Sequence, residues 1–320
     1  MRRKVLTWFR ALRVTQWTKN AVVMAAWFFA FADSAQSAKA RSVESFLLAL
    51  GMAGSFCLVS SAFYLLNDVS DIKSDRRHPL KRLRPVASGA VHAITAVRAS
   101  LVLFAAGVSF PAWVVFNWPE RTLAFGTILF YSILQCLYSG ILKHIPYVDV
   151  AIIAFGFVVR AVAGAAVIDA RISPWLLVCT FMLALFLALA KRREELKVDK
   201  NLAAAARAKR GVRRALTGYH PLALDVLLAM SALATLALYM SYTLCEDTLR
   251  RFNTGNLVWT SLWVALGLAR YLFLVYSPSG GGTGRPERVL LTDWILWLIL
   301  VGYGVTAVLA VKWEIMGGIL

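Results

Sequence analysis

The sequence predicts an all-α integral membrane protein with nine transmembrane helices. Of its 320 residues, 59% are hydrophobic, and the mean hydropathy of +0.65 lies outside the usual range of globular domains. Apolar runs of about 17 to 25 residues, each long enough to cross roughly 30 Å of hydrocarbon, recur along nearly the whole chain. Lys and Arg are concentrated in a few loops between these runs. A single polytopic membrane domain over residues 1–320 accounts for all three observations.

The nine apolar runs set the predicted helices. In chain order these are residues 20–38, 46–66, 92–116, 122–139, 147–168, 174–190, 221–243, 256–275 and 289–312. The basic segment 1–13 is not followed by a short apolar core and a small-residue cleavage site, so we expect the first helix to be retained. The four cysteines lie far apart without metal-ligand spacing, which predicts small buried residues.

The net charge of +18 is explained by membrane topology. With nine crossings, 25 of the loop Lys and Arg residues fall on the side of the N-terminus and 6 on the other side. The positive-inside rule therefore predicts a cytoplasmic N-terminus and an outer C-terminus. It also places two long loops, 67–91 and 191–220, in the cytoplasm. A nucleic-acid partner is not needed to explain the charge, and none is predicted.

The sharpest cluster of polar residues is the segment Asn67–Asp75, which reads NDVSDIKSD. Asp68, Asp71 and Asp75 are spaced i, i+3 and i+7, so a continued helix would place all three on one face, where their repulsion requires a cation. Carboxylates suit Mg²⁺, which bridges one or two of them to substrate phosphates. Asn67 can add a neutral oxygen. The alternative is a solvated charged loop that only sets topology.

Basic residues follow the aspartates directly, in RRHPLKRLRPVASG. Lys81, Arg82 and Arg84 are candidates for neutralising the phosphate oxygens that a metal ion does not reach. An anchor for lipid headgroups is the alternative interpretation. Because acids for a metal and bases for phosphates are adjacent, we favour a wall of the active site.

The second long loop opens with KRREELKVD, in which Glu195 and Asp199 lie one helical turn apart. It resembles the first cluster more weakly, and a solvated amphipathic loop remains open. A short loop between the two clusters supplies Tyr138, Lys143 and Asp149. Arg160 lies well inside the fifth apolar run, where an unpaired guanidinium is expensive, so it must face a polar cavity or a partner.

The NDVSDIKSD segment resembles the NDxxDxxxD signature of the UbiA superfamily of membrane prenyltransferases, and the nine-helix topology is similar to theirs. The resemblance implies a bundle around a central cavity open to the cytoplasmic side, with Mg²⁺ held by two aspartate-rich motifs. KRREEL stands in place of the second motif, DxxxD. Together with LRVTQWTKN (12–20) and RHPLKRLRPVASG (77–89), it resembles the decaprenyl-phosphate phosphoribosyltransferase branch.

That branch implies a function in the bacterial inner membrane. Its members transfer the 5-phosphoribosyl group from phosphoribosyl diphosphate to a polyprenyl phosphate, releasing diphosphate, toward lipid-linked arabinose donors for the cell wall. Asp68, Asp71 and Asp75 are then expected to hold Mg²⁺, and Glu195 to bind a second metal ion or orient a base. The residues expected to bind substrate or phosphate are Lys19, Asn67, Lys81, Arg82, Arg84, Tyr138, Lys143, Arg160, Lys191 and Arg192.

Two rival functions stay open. One is transfer of a prenyl group from its diphosphate to a small aromatic acceptor by the same aspartates. The other is a transporter or lipid scaffold without catalysis, for which paired broken helices would be the sign. The expected partners are phosphoribosyl diphosphate, polyprenyl phosphate and membrane lipids, and the oligomeric state, including a homo-oligomer, is left open.

Overall fold

The computed structural model describes residues 2–32, 36–77, 81–206, 218–277, 289 and 292–317. Side chains are described at these positions except at residues 2, 3, 32, 197–206 and 312–317. Within these ranges the chain forms helices, turns and bends, and no β-strand. The predicted all-α class is therefore confirmed for the part of the chain that is described.

Twelve α-helices follow one another within the described ranges. They are α1 (Arg2–Ala11), α2 (Val22–Ala32), α3 (Val43–Ser70), α4 (Ile72–Arg77), α5 (Ala93–Asn117), α6 (Thr122–Gly140), α7 (Val148–Val167), α8 (Pro174–Ala206), α9 (Pro221–Leu244), α10 (Glu246–Phe252), α11 (Thr260–Tyr276) and α12 (Trp294–Gly317). Short 3₁₀ helices cover Val14–Ala21, Lys39–Arg41, Lys81–Leu83, Pro119–Arg121, Leu142–His144 and Asn256–Trp259.

Eight of the described helices are long and apolar enough to cross a membrane, against nine predicted. The difference lies in the predicted helix 20–38. There the polar residues up to Asn20 form a 3₁₀ helix, and α2 has 11 residues, about 16 Å of helix against roughly 30 Å of hydrocarbon. Asp33 follows the apolar run directly, which limits its length. Elsewhere, α8 continues well past residue 190, the predicted end.

Helix α7 lies at the centre of the bundle, between α2 and α6 on one side and α8 on the other. Gly164 allows α7 to approach α2 closely, because a Cβ at this position would overlap the carbonyl of Val23. One apolar core joins α2, α3, α6 and α7, and a second joins α8, α9 and α11. Large apolar side chains such as Leu298 and Val301 are exposed on the outside of the bundle, as expected for surfaces that face lipid.

Polar contacts distinguish the two ends of the bundle. The loops that were predicted to share one side do meet at one end, where Lys143 contacts Asp71 and the backbone N–H of Tyr147 bonds to Tyr219. We call this the aspartate end. A cavity of about 90 Å³ lies at the opposite end, beside Gln36 and between α2, α7, α8 and α10. The predicted central cavity that opens at the aspartate end stays a prediction.

Candidate active site

The aspartates of the NDVSDIKSD segment lie where α3 gives way to α4. Asp71 ends α3 with φ −92° and ψ 5°, which interrupts the single continued helix that the spacing suggested. Backbone bonds from Asp71 N to Asn67 O and from Asp75 N to Asp71 O nevertheless keep the chain close to helical. Asp68 and Asp75 are consequently both buried and lie near each other, whereas the Asp71 side chain is 38% exposed.

One arginine bridges the two buried aspartates. Nη1 of Arg84 lies 3.2 Å from Oδ1 of Asp68 and 2.7 Å from Oδ2 of Asp75. A second arginine, Arg13, places Nη2 2.5 Å from the same oxygen of Asp68, and its guanidinium lies over the ring of Tyr64. Two positive and two negative side chains thus balance in charge. We call Arg13, Asp68, Asp75 and Arg84 the aspartate site.

Asp71 stands apart from the aspartate site. Its Oδ1 faces Nζ of Lys143 at 3.5 Å, which brings the connection between α6 and α7 to the edge of the site. Among the residues whose side chains are described, no three His, Cys, Asp or Glu side chains lie close enough together to hold a metal ion. The structure therefore brings together two of the three predicted metal ligands, Asp68 and Asp75. The third, Asp71, contacts Lys143 instead.

A second arginine lies between two carboxylates at the start of the KRREEL segment. Arg192 donates from Nε to Oδ2 of Asp149 at 2.8 Å and from Nη1 to Oε2 of Glu195 at 2.5 Å. Arg192 is 1% exposed and Asp149 fully buried. We call Asp149, Arg192 and Glu195 the buried triad. The side chain of Asp199, the other acid predicted here, is outside the described residues.

Tyr219 completes the surroundings of the buried triad. Its hydroxyl donates to Oδ1 of Asp149 and accepts the backbone N–H of Tyr147, which ties the start of α9 to the start of α7. Burial, followed by the bond to Asp149, raises the pKa of Tyr219, so the phenol keeps its proton and remains the donor. Both carboxylate oxygens of Asp149 therefore accept hydrogen bonds, which offsets the cost of burying this side chain.

The neighbouring arginine of KRREEL points to a different helix. Arg193 forms a two-pronged pair with Asp225 of α9, at 2.6 and 3.1 Å, and Asp225 also accepts from the hydroxyl of Tyr276. Successive residues of α8 thus reach α7 and α9. This segment connects three helices at the aspartate end.

Arg160 lies deeper in the bundle and is 6% exposed. It donates to Asn20 Oδ1 at 2.7 Å, to the hydroxyl of Tyr131 at 2.8 Å and to the carbonyl of Gly156 at 2.8 Å. Its guanidinium also lies over the ring of Tyr131. The sequence predicted that this charge would need a partner, and neutral oxygens and an aromatic ring supply it.

The other predicted site residues surround these groups. Lys19 bonds to Gln16, and Tyr138 is close enough to Arg192 to act on it electrostatically. The backbone carbonyl of Asn67 accepts a hydrogen bond from the backbone N–H of Asp71. Arg82 is exposed, and Lys81 and Lys191 are partly exposed. No contact in the described residues joins Arg82 to an aspartate.

Several residues of these groups were not predicted as site residues. Arg13 was counted among the topology-setting bases, although it belongs to the LRVTQWTKN segment that carried part of the resemblance. Asp149 was noted as a loop carboxylate, but its position in the first turn of an apolar helix was the stronger signal. Asn20 ends the same LRVTQWTKN segment, whereas Tyr131, in the middle of α6, and Tyr219, just before α9, carry no local signal.

The aspartate site has the donor chemistry that a divalent cation requires. Two buried carboxylates already surround one cationic atom, Nη1 of Arg84, and Mg²⁺ commonly uses one or two protein carboxylates with substrate phosphates and water. The buried triad does not fit in the same way, because Arg192 is enclosed by its partners. The residues present therefore fit one metal position better than two.

Comparison with known families shows which family this chain belongs to. The model of the UbiA prenyltransferase family matches residues 21–280, which include the aspartates, the buried triad and both long loops. The chain belongs to the UbiA prenyltransferase family. It is thus a transferase, as the resemblance predicted.

Individual relatives extend the match to nearly the whole chain. The decaprenyl-phosphate phosphoribosyltransferase of Corynebacterium glutamicum is 31% identical over 304 residues, covering 94% of this chain and 86% of that protein. The enzyme of the same name from Mycolicibacterium smegmatis is 29% identical over 300 residues, covering 92% and 89%. Both alignments are long enough to include the two clusters of arginine and carboxylate.

Solved structures show the same fold. A UbiA homolog from Archaeoglobus fulgidus bound to DMAPP and Mg²⁺ has a TM-score of 0.64 at 18% identity, covering 93% of this chain and 97% of that one. The same homolog bound to GPP and Mg²⁺ has a TM-score of 0.63 at 18% identity, covering 97% and 98%. At this identity the likeness establishes the architecture of the bundle.

Proposed function

We propose that this protein transfers the 5-phosphoribosyl group of phosphoribosyl diphosphate to a polyprenyl phosphate and releases diphosphate. The observation that carries the proposal is the similarity to relatives named decaprenyl-phosphate phosphoribosyltransferase, which extends over more than nine-tenths of the chain. The cations at the edge of the aspartates, Arg84 and Lys143, support it, because a donor with three phosphate groups and a phosphate acceptor need cations at several positions.

The proposed reaction exchanges one bond at ribose C1. An oxygen of the polyprenyl phosphate forms a bond to C1 while the bond from C1 to the diphosphate oxygen breaks, and the electron pair leaves with the diphosphate. The acceptor phosphate is already anionic near neutral pH, so no strong general base is needed. The main requirement is stabilisation of the negative charge that grows on the leaving group.

Asp68 and Asp75 are the residues we assign to Mg²⁺, with Asp71 and Asn67 beside them. When bound, the metal ion neutralises part of the charge on the departing diphosphate. The negative charge of Asp68 and Asp75, which would otherwise repel the donor, is then compensated by the metal ion. The solved homologs with Mg²⁺ and a prenyl diphosphate support this assignment through the shared fold.

We assign the remaining cations to two groups. We assign phosphate oxygens to Arg84 and Lys143, which already contact the aspartates, and to Lys19, Lys81, Arg82 and Lys191. Arg160 and Arg192 are enclosed by protein partners and are assigned to holding helices in position. Glu195 and Tyr138 are then assigned to holding Arg192 in position.

Prenyl transfer is the second candidate function. It is favoured by one observation, namely that the homologs with this fold bind DMAPP and GPP. In that case the aspartates would hold the diphosphate of an isoprenoid donor, and the acceptor would be a small aromatic molecule. The aspartate site serves both reactions, so the donor must be determined by experiment.

A transfer assay with both donors separates these functions. Purified full-length protein in lipid nanodiscs is incubated with Mg²⁺, decaprenyl phosphate and labelled phosphoribosyl diphosphate, and in parallel with a labelled prenyl diphosphate and an aromatic acceptor. We expect labelled lipid and diphosphate in the first reaction, with no product after chelation of the metal. Product only in the second reaction would refute phosphoribosyl transfer.

We further propose that the aspartate end faces the cytoplasm in the bacterial inner membrane, and that the first apolar run, predicted as residues 20–38, makes the ninth crossing. The excess of Lys and Arg in the loops at this end supports the orientation. A reporter fused to the C-terminus tests it. Activity of a periplasmic reporter, and inactivity of a cytoplasmic one, is the expected result, and the reverse would overturn the topology.

A further inference from the structure

The two arginines of the aspartate site occupy the position that the proposed metal ion would need. Oδ1 of Asp68 accepts from both Arg13 and Arg84, and Nη1 of Arg84 lies between the carboxylates of Asp68 and Asp75. A cation cannot bridge the same two carboxylates while Nη1 remains there. The arginines and the metal therefore compete for the same oxygens.

Both arginines are attached to segments outside the long helices. Arg84 directly follows the 3₁₀ helix Lys81–Leu83, and its side chain is 30% exposed. Arg13 lies between α1 and the next 3₁₀ helix, in the left-handed region at φ 51° and ψ 46°, where a non-glycine residue is strained. Neither guanidinium is carried by a membrane-spanning helix, so it can leave the carboxylates without displacing one, whereas Asp68 and Asp75 belong to α3 and α4.

The charges of the site favour such a movement when a donor binds. Two arginines and two carboxylates are balanced without ligand, so a metal ion added alone would leave an excess of positive charge. A diphosphate brings several negative charges and offers the arginines new partners of the geometry they bind best. The positive charges of the metal ion and the arginines then offset much of the negative charge of the donor.

Building on the proposed function, we propose that Arg84, assisted by Arg13, is a stand-in cation that holds Asp68 and Asp75 together and moves onto donor phosphates when metal binds. Arg84 then opposes metal binding in the absence of donor and supports donor binding in the presence of metal. A purely structural bridge predicts the opposite sign for the first effect, because its loss would separate the two carboxylates and weaken metal binding.

Direct measurement of metal binding tests this without relying on turnover. Full-length protein in nanodiscs is titrated with Mn²⁺, a paramagnetic substitute for Mg²⁺, and free Mn²⁺ is followed by electron paramagnetic resonance. In Arg84→Gln, without donor, we expect about tenfold tighter Mn²⁺ binding, and with Mn²⁺ present about tenfold weaker binding of phosphoribosyl diphosphate. Arg13→Gln should change both affinities in the same directions by a smaller factor.

A matched control separates the local effect from net charge. Arg77→Gln removes the same charge from an exposed position at the end of α4 and should leave Mn²⁺ affinity unchanged. Arg84→Lys keeps a cation but loses the planar fork, so it should bind Mn²⁺ as the wild type does and the donor more weakly. Mg²⁺ should also raise the melting temperature of Arg84→Gln by more than that of the wild type, which shows that the variant is folded.

The results distinguish failure of this inference from failure of the proposed function. Unchanged or weaker Mn²⁺ binding by Arg84→Gln, while the wild type binds Mn²⁺ and forms labelled lipid, would overturn the stand-in role alone. A wild type that forms no labelled phosphoribosyl lipid, or binds no Mn²⁺ even with phosphoribosyl diphosphate, would overturn the proposed function and this inference with it.

Discussion

The aspartate site and the buried triad each place one arginine between two carboxylates, but they differ in burial and in attachment. Arg84 follows a short 3₁₀ helix and is 30% exposed, whereas Arg192 is on the long helix α8 and is 1% exposed. A second arginine, Arg13, balances the charge of the aspartate site. The buried triad instead receives a neutral hydroxyl from Tyr219.

Because of this difference, we expect the aspartate site to exchange its cation and the buried triad to keep its own. Removing a buried guanidinium from its carboxylates exposes uncompensated charge to a medium of low polarity, which is costly. At the aspartate site water and phosphate can replace the lost contacts. The same trio of groups can therefore act as a substrate site at one position and as a structural connection at another.

The largest effect is expected from Arg192→Met, which leaves Asp149 and Glu195 without their shared cation. Breaking a buried pair by removing one partner typically costs about 3–5 kcal/mol. We expect a loss of that size in the free energy of unfolding in detergent micelles, followed by tryptophan fluorescence. A loss below about 1 kcal/mol would mean that the buried triad is not a structural connection.

The double variant Arg192→Met with Asp149→Asn is the control for this prediction. It removes the isolated charge together with its partner, so we expect it to recover more than half of the lost stability. If the double variant is less stable than the single one, the penalty comes from lost packing rather than from the unpaired carboxylate.

A large effect on activity with little effect on stability is expected from Asp68→Asn. Losing one of two metal-binding carboxylates should lower the initial rate of phosphoribosyl transfer at least about a hundredfold, which is roughly 2.7 kcal/mol of activation free energy. The free energy of unfolding should change by less than about 1 kcal/mol, because repulsion from Asp75 is relieved as contacts to Arg13 are lost.

Asp247→Asn provides the matched control for Asp68→Asn. Asp247 is 68% exposed, pairs with Arg251 one turn away on α10, and lies at the opposite end of the bundle. Its replacement should leave the rate unchanged. An Asp68→Asn protein that keeps more than a tenth of the wild-type rate would contradict the metal-binding assignment.

The sequence predicts the positions of the helices better than it predicts the contacts that their residues make. Hydropathy alone places most spans within a few residues, as for Thr122–Gly140 against a predicted 122–139. It fails where tertiary contacts decide, as in the polar 3₁₀ helix Val14–Ala21, which is held by bonds such as Trp17 to Ser61. It also misses the break at Asp71, since a regular i, i+3, i+7 spacing carries no information about a helix end.

The same limit applies to the site. The residue types and the spacing of Asn67–Asp75 indicate a metal and phosphate site, and Asp68 and Asp75 do lie together. Which cation lies between them could not be predicted, because Arg13 and Arg84 are brought there from separate segments. Likewise, KRREEL predicts charges near a helix end, but not that Arg192 and Arg193 point to different helices.

A moderate, pH-dependent effect is expected from Tyr219→Phe. The variant keeps the ring packed on Tyr147 and loses the hydroxyl that bonds Asp149, a bond to a charged group that is typically worth about 1.5–3 kcal/mol. Burial and Asp149 raise the pKa of Tyr219, so the bond contributes fully below the unfolded pKa of about 10 and is lost as the pH rises toward the folded value.

The measurement is the difference in unfolding free energy between wild type and Tyr219→Phe from pH 7 to pH 11. This difference should be constant up to about pH 10 and then shrink. Taking the difference removes contributions from other groups that titrate in both proteins. A difference that grows above pH 10 would mean that the folded state favours the ionised phenol, and would contradict the hydrogen bond to Asp149.

The smallest effect is expected from Asp293→Asn. This variant tests whether burial, rather than the presence of an arginine–carboxylate pair by itself, gives the buried triad its structural role. Arg270 lowers the pKa of Asp293 by hydrogen bonding, so this pair stabilises the fold above the unfolded pKa of about 4 and is lost as the pH falls through the folded value. The Arg270 side chain is 23% exposed, and Asn can still cap α12 through Leu296 N. We expect a loss of about 0.5–1 kcal/mol at pH 7, read from the same unfolding transition, and a loss that shrinks as the pH falls below about 4. If Asp293→Asn instead costs as much as Arg192→Met, burial is not what makes the triad structural, and Arg84 and Arg192 would have to be regarded as equivalent.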